Sequence, residues 1–452
     1  MEAPRQGIFG QRPIVLIAAF PVSGHSSGLI QIAAHLVKRG FKTFFIGGVQ
    51  FYDEIARAGC THVKIDLSTW RTPAIIQEQF LRPAGPARHA YHFKHFFLDA
   101  MPTAFALLKT TLEAIHDEYP DHQVRILHGS TYLGVLPFLF GVPPPRGYTT
   151  FPQVINFQPS VNAMSSVDLP PFGPGHMPDP SDEGRRRARA LAELQQPMWQ
   201  DVNDYGNKVL TSLGAHGRLE GTLWDTILGS YGLCLLAHSA SIEYPRSDLH
   251  TSIRYIGGLP PTAFVEFDFP SWWPDVVQNG TSSILRKKVI FVSQGSNWRS
   301  LDHLVVPALK ALAKRKDVLL VANLGKHGAV LPEDVKLPDN ARVIDYLPYD
   351  VLLPYVDVFV FSAGYGALMH AIMNAVPVVL AGEGATKTEI AARGEWAGLG
   401  VNLKTGAPTE DSICAGIEAV LGNAAYKMRA VELQMENNAL DPLKKIEDLL
   451  CA

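Results

Sequence analysis

The sequence predicts an α/β protein made of two doubly wound, Rossmann-like halves facing each other across a cleft. Three observations carry this. Short continuous apolar runs alternate with segments of helical period, the pattern of strands buried on both faces of a parallel sheet. The alternation starts twice, near residue 13 and again near residue 287. Between the two starts, a stretch crowded with Pro and Trp at 259–274, followed by polar residues to 283, interrupts the pattern.

Residues 13–20 (PIVLIAAF) read as the first strand, and the turn formers PVSGHSSG follow. LIQIAAHLVKRG comes next, with Leu29, Ile32, Ala33, Leu36 and Val37 at helical spacing and Gly40 as the stop. FKTFFIGG is a second strand, which completes a βαβ unit. VRILHGS reads as a further strand of the same sheet. The run FPQVINFQPSVNAMSSVDLPPFGPGHMPDP lacks a clear period, residues 182–232 are mostly helical, and LCLLAHSA at 233–240 returns to strand composition.

The second half supplies KKVIFVSQGS, DVLLVANLG, ARVIDYL, VDVFVFSAGYG, VPVVLAGEG and GLGVNL as strands. Helical patterns such as HLVVPALKALAKR and ALMHAIMNA lie between them, as in a doubly wound sheet. From about Tyr426 the chain reads as one amphipathic helix. The expected organisation is an N-terminal domain at 1–258, a linker at 259–285, a second domain at 286–425 and a returning C-terminal helix at 426–452.

Composition narrows the function. Apolar residues make up 47% of the 452, enough for a sizeable core. The balance of 40 Lys and Arg against 43 Asp and Glu gives a net charge of −3, which argues against a nucleic-acid footprint. No apolar run has the length of a membrane span. The start, MEAPRQGIFGQRP, lacks the apolar stretch of a secretory leader. Cys60, Cys234, Cys414 and Cys451 stand far apart without a CxxC pair, so neither a disulfide framework nor a zinc site is expected. The histidines before residue 130 show no metal-ligand spacing such as HExxH, and no metal is expected. The expectation is a monomeric, cytoplasmic protein.

Ligands of such sheets bind beyond the carboxyl ends of the strands. Four turns lie there. In the first, Pro21–Gly28, the glycines permit close backbone approach, and His25 faces the cleft as a candidate general base; the competing reading is a histidine in a tight turn before a helix. In the second, Ser293-Gln294-Gly295-Ser296-Asn297, small residues before a helix suit an anion. The third is Ser362-Ala363-Gly364-Tyr365-Gly366-Ala367, and it lacks the third glycine of a dinucleotide fingerprint. The fourth, from Glu383 to Arg393, carries Glu383, Lys387 and Glu389. A P-loop lysine and a GxSxG elbow are both absent.

These pieces together resemble a family 1 glycosyltransferase of the GT-B fold, over nearly the whole chain. FPVSGHSSGLIQIAAHLVKRGF resembles the strand, catalytic-histidine loop and first helix of that family. CLLAHSASIEYPRSDLHTSIRYIGGL resembles the stretch before its linker, and VIFVSQGSN the start of its donor domain. The run from VIDYLPYDVLLPY to GEWAGLGVNL resembles its donor-binding signature, in the form found in fungal and bacterial small-molecule glucosyltransferases.

The resemblance implies an inverting transfer of a sugar, glucose, from a UDP-sugar to a hydroxyl of a lipophilic, phenolic or polyketide-like small molecule. His25 is then the base, with Gly24 beside it. Ser296, Asn297 and the turn Ser362, Ala363, Gly364, Gly366 and Ala367 hold the diphosphate. Residues 346–353, with Leu347 and Tyr349, border the nucleoside. Lys387 and Glu389, or Glu383, meet the sugar. No cofactor beyond the donor substrate is implied, because helix dipoles and N–H groups neutralise the leaving group.

The chain departs from the pattern in places. Ser362 replaces a histidine, Tyr349 replaces a glutamine, and Thr386-Lys387 replaces an Asp-Gln pair. The aspartate that orients the histidine is expected near the end of VRILHGS, where the chain has His128, Gly129 and Ser130. Asp99 is the expected substitute, and His128 the alternative base. Two other readings stay open: a GT-B protein that binds a nucleotide sugar and assists a partner, and a sugar-nucleotide enzyme of another class, such as an epimerase. Residues 66–100 and 151–230 are expected to line the acceptor pocket.

Overall fold

The computed structural model describes residues 12–66, 72–83, 85–261, 267–280, 286–296 and 300–452. In the first half, β1 (Ile14–Ala18), β2 (Thr43–Gly48), β3 (Thr61–Ile65), β4 (Val124–Gly129), β5 (Gln153–Gln158), β6 (Leu233–Leu236) and β7 (Ile253–Tyr255) form one sheet. Its order is β3-β2-β1-β4-β5-β6-β7, and its strand pairs are parallel. In the second half, β8 (Lys288–Ser293), β9 (Val318–Asn323), β10 (Ala341–Ile344), β11 (Val358–Phe361), β12 (Val378–Leu380) and β13 (Gly400–Asn402) form a parallel sheet of order β10-β9-β8-β11-β12-β13. This is the GT-B arrangement.

Both sheets reverse their winding at one point, between β1 and β4 in the first and between β8 and β11 in the second. At such a switch point the flanking loops diverge to opposite faces and open a crevice at the strand ends. The turn after β1 carries His25, and the turns after β8 and β11 carry Ser296 and Ser362.

The strands β1 (IVLIA) and β9 (VLLVAN) have no exposed residue because helices cover both faces of the sheets. The strand β5 hides in sequence because its ladder contains polar residues. Asn156 is buried, donates from Nδ2 to the Ile227 carbonyl at 2.7 Å and accepts from Ser130 Oγ at 2.8 Å. Those bonds satisfy an amide that would otherwise be costly to bury.

The tail is two helices rather than one. Helix Ala424–Ala439 packs Ala430 and Leu433 into the core of the second half. Asp441 then turns with φ +45 and caps the next helix by accepting from the Lys444 N–H, and Pro442 occupies that helix's first turn. Helix Pro442–Cys451 buries Ile446 and Leu450 against Leu29, Ile32 and Leu36 of the first half. Glu447 accepts from Arg39 Nε at 3.0 Å.

Part of the expected linker belongs to the second half, since Val276 is buried in that core with Phe291 and Phe359. Its residues 262–266 and 281–285 lie outside the described residues. Among the described residues, no helix is long and apolar enough to cross a membrane.

Candidate active site

The helix after β1 starts at Ser23, so His25 sits in its first turn rather than in an open loop. Its Nδ1 lies 3.2 Å from Thr131 Oγ1. Thr131 follows β4 and is 3% exposed, so the pair bridges the first switch point. The Phe20 ring stands edge-on to His25, with centroids 6.3 Å apart. Gly24 is exposed, and a Cβ built there meets nothing within 4 Å, which leaves the backbone open to a ligand.

Two expected catalytic residues lie elsewhere. His128 is 0% exposed in β4, its Nδ1 bonds the Gly129 carbonyl at 3.0 Å, and its ring stands edge-on to Tyr231. Burial brings its pKa down to about 4, so it is a neutral core histidine out of reach of an acceptor. Asp99 gives its two oxygens to His95 Nδ1, at 2.8 Å, and to the Tyr205 hydroxyl. Its oxygens are thus engaged away from His25, whose Nδ1 faces Thr131 Oγ1.

At the second switch point the register pairs Ser293 with Phe361, which brings the next residues, Gln294 and Ser362, together. Ser362 Oγ donates to the Gln294 carbonyl at 2.8 Å. Gly295 turns the chain with φ +75, Ser296 is exposed, and Asn297 lies outside the described residues. Tyr349 Oη meets Ser293 Oγ at 2.9 Å, and its ring packs edge-on against Phe291 and Phe359. Leu347 is buried, and its carbonyl accepts from Asn323 Nδ2 at 3.0 Å.

Ala363 takes a positive φ of +50, and Gly364 is the N-cap of helix Tyr365–Met373. No side chain caps that end, so the N–H groups of Tyr365, Gly366 and Ala367 keep their capacity for an anion. Built Cβ atoms at Gly364 and Gly366 meet nothing within 4 Å. Ala367 packs on the second core.

In the fourth turn Glu383 is exposed, while Lys387 is half-buried and donates from Nζ to Ser362 Oγ at 3.1 Å. Glu389 is turned the other way. It is 3% exposed, accepts from the Gly173 and Gly175 N–H groups at 2.7 and 2.8 Å, and binds Arg393 Nη1 at 2.7 Å. Its carboxylate is taken up by backbone N–H groups of the first half and by Arg393.

Comparison with known proteins decides the family. Residues 313–447 match the family described as "Erythromycin biosynthesis protein CIII-like, C-terminal domain". The chain is 37% identical over 446 residues to UDP-glucosyltransferase 1 of Beauveria bassiana, covering 96% of this chain and 94% of that protein. The chain belongs to the family 1 UDP-glycosyltransferases. UDP-glucosyltransferase B1 of Starmerella bombicola is 28% identical, with 97% of this chain and 98% of that protein covered. The glycotransferase of kitacinnamycin superposes with a TM-score of 0.68 at 18% identity, over 97% of this chain and 98% of its own. The spinosyn rhamnosyltransferase in complex with spinosyn aglycone gives 0.65 at 17%, over 97% and 100%. These two structures share the fold.

The protein is therefore a UDP-dependent glycosyltransferase, and its two halves meet through a buried cluster that the sequence did not reveal. Tyr365 Oη, at the head of the donor-side helix, donates to the Ala237 carbonyl at 3.0 Å and lies 2.9 Å from His238 Nδ1. Arg393 donates from Nε to Glu243 at 2.7 Å and from Nη2 to the Asn162 carbonyl at 3.2 Å, and Tyr244 stacks on its guanidinium. Burial opposes charge on Glu243, yet Arg393 and His238 hold its carboxyl well below the usual carboxylate range.

A chain of rings leads away from His25. Phe20 meets Phe97 at 5.2 Å, Phe97 meets His92 and Phe93 at 5.2 and 6.2 Å, and Phe93 meets Trp199 and Trp224 at 5.1 and 5.6 Å. Phe93 and Phe97 lie on Phe93–Leu98, wound as a π-helix, a form that recurs at functional sites. Residues 67–71 of the expected acceptor wall lie outside the described residues.

Proposed function

We propose that the enzyme transfers glucose from UDP-glucose to a hydroxyl of a lipophilic, aromatic acceptor with inversion at the anomeric carbon. The observation that carries this is the His25–Thr131 pair, 3.2 Å apart across the first switch point. With Nδ1–H donating to Thr131, the lone pair sits on Nε2, where it takes the proton of the acceptor hydroxyl. The acceptor oxygen then bonds to the anomeric carbon as the bond to the diphosphate breaks, and the electron pair leaves on UDP.

The ring chain from Phe20 to Trp224 favours an apolar acceptor, since aromatic faces stack on flat or greasy molecules. The N–H groups of residues 365–367 take up leaving-group charge, so no cation is needed. We also take the protein to act as a cytoplasmic monomer; its four cysteines are free thiols, which suits a reducing compartment. The test is to incubate the enzyme with UDP-glucose and a panel of phenols and alcohols and to follow UDP release. Release that rises with an acceptor supports transfer; release indifferent to any acceptor contradicts it.

A further inference from the structure

Lys387 is a half-buried cation on the donor side. Its Nζ donates to Ser362 Oγ at 3.1 Å, and Ser362 in turn donates to the Gln294 carbonyl at 2.8 Å. The relay runs from the ammonium to a neutral hydroxyl to a carbonyl, so the relay itself holds no counter-charge. Lys387 has no other bonded partner among the described residues. Burial lowers its pKa, opposed only by the field of Glu383. An ammonium has three donors, and Ser362 takes one.

Its surroundings are those of an anion site. The helix Tyr365–Met373, whose N-terminus no side chain caps, begins three residues after Ser362. Helix Ala385–Trp396, which carries Lys387, is pressed onto that turn. A Cβ built at Gly382 lies 2.5 Å from the Lys387 carbonyl oxygen and 3.0 Å from Ala363 Cβ. No methyl fits between them. Sugar hydroxyls are neutral and exchange readily with water, so they give little return for a partly desolvated charge. A diphosphate does, because its charge grows as the glycosidic bond breaks.

We propose that Lys387 binds the diphosphate of the donor, rather than its sugar, and neutralises the leaving group. This rests on the UDP-sugar reading above. In the step, the anomeric carbon exchanges its bond to a diphosphate oxygen for one to the acceptor oxygen. The electron pair departs on UDP, the proton passes to His25, and Lys387 keeps its own protons throughout.

The test is calorimetric titration of the full-length enzyme and of Lys387→Gln with uridine, UDP and UDP-glucose. The proposal expects Lys387→Gln to weaken UDP by about 10–100-fold, the range for a hydrogen bond to a charged group, with uridine unchanged. UDP-glucose falls by the same factor as UDP, and Lys387→Arg recovers part of the loss. Equal UDP affinity in Lys387→Gln and wild type, with weakening confined to UDP-glucose, overturns the proposal in favour of a sugar contact. A parallel loss of uridine also overturns it, since the lysine then acts on the fold. Wild-type enzyme that does not bind UDP contradicts the donor reading itself and removes the basis of this one.

Discussion

Arg393, from the second half of the chain, donates through Nε to the Glu243 carboxylate of the first half at 2.7 Å. Both side chains are buried, so the two lobes are joined by a desolvated charge pair rather than by a surface contact. Breaking such a pair from one side strands the other charge and costs about 3–5 kcal/mol. Glu243→Gln and Arg393→Met are each expected to destabilise the enzyme by that order in urea unfolding, and the double variant by less than the sum. The pH dependence follows from the depressed carboxyl of Glu243. Its contribution is present above the ordinary carboxylate range and is lost as pH falls below it, so Glu243→Gln should flatten the acid limb of the stability curve. Additive single effects would remove the coupling.

Thr131 lies 3.2 Å from His25 Nδ1, and it lacks the charge to stabilise an imidazolium. Thr131→Val removes the partner of His25 Nδ1. One neutral hydrogen bond is worth about 0.5–1.5 kcal/mol net, so kcat/KM should fall about 2–13-fold with UDP affinity intact. Thr131→Asp places a carboxylate beside the ring, favours the protonated imidazole, and should move the acid limb of the kcat/KM profile to higher pH. A profile that ignores both changes would show that Thr131 does not orient the base.

Much of the fold is legible in the sequence because parallel strands covered on both faces become unbroken apolar runs, as in Ile14–Ala18 and Val358–Phe361. The strand Gln153–Gln158 was not legible, because its buried Asn156 and Gln158 make it look like a loop. The position of His25 just beyond the first strand was legible from the apolar run that precedes it. His128 and Asp99 were misread because strand and helix positions do not disclose which way a side chain points. Glu389 was misread because its partners, Gly173 and Gly175, lie 216 and 214 residues away. Thr131 was missed by one position; the usable signal was a hydroxyl residue just after VRILHGS.

The ring chain from His25 predicts where acceptor affinity resides. Phe97 touches both Phe20 and His92. Phe97→Ala should raise KM for an aromatic acceptor by about tenfold or more, since burying a large apolar side chain is worth about 1.5–3 kcal/mol. KM for UDP-glucose should stay constant, and initial-rate kinetics with each substrate varied in turn separates the two. Equal losses for donor and acceptor would place Phe97 outside the acceptor pocket.

If helix N–H groups and Lys387 take up the charge of the leaving diphosphate as proposed, the reaction is expected to run without a divalent cation. Among the described residues, no group of three His, Cys, Asp or Glu side chains stands where it could hold one. UDP affinity and turnover should be the same with EDTA and with added Mg²⁺. A large loss on chelation would require another source of positive charge at Ser362–Ala367.

The most direct measurement of the account is single-turnover kinetics of His25→Ala with paired acceptors, an aliphatic alcohol and an acidic phenol, alongside UDP titration. A positioned general base contributes about 10²–10⁴-fold. The alcohol reaction should slow by that order, the phenol reaction by clearly less because its proton is already loosely held, and UDP affinity should not change. Normal turnover of the alcohol by His25→Ala would contradict the assignment of His25 as the base.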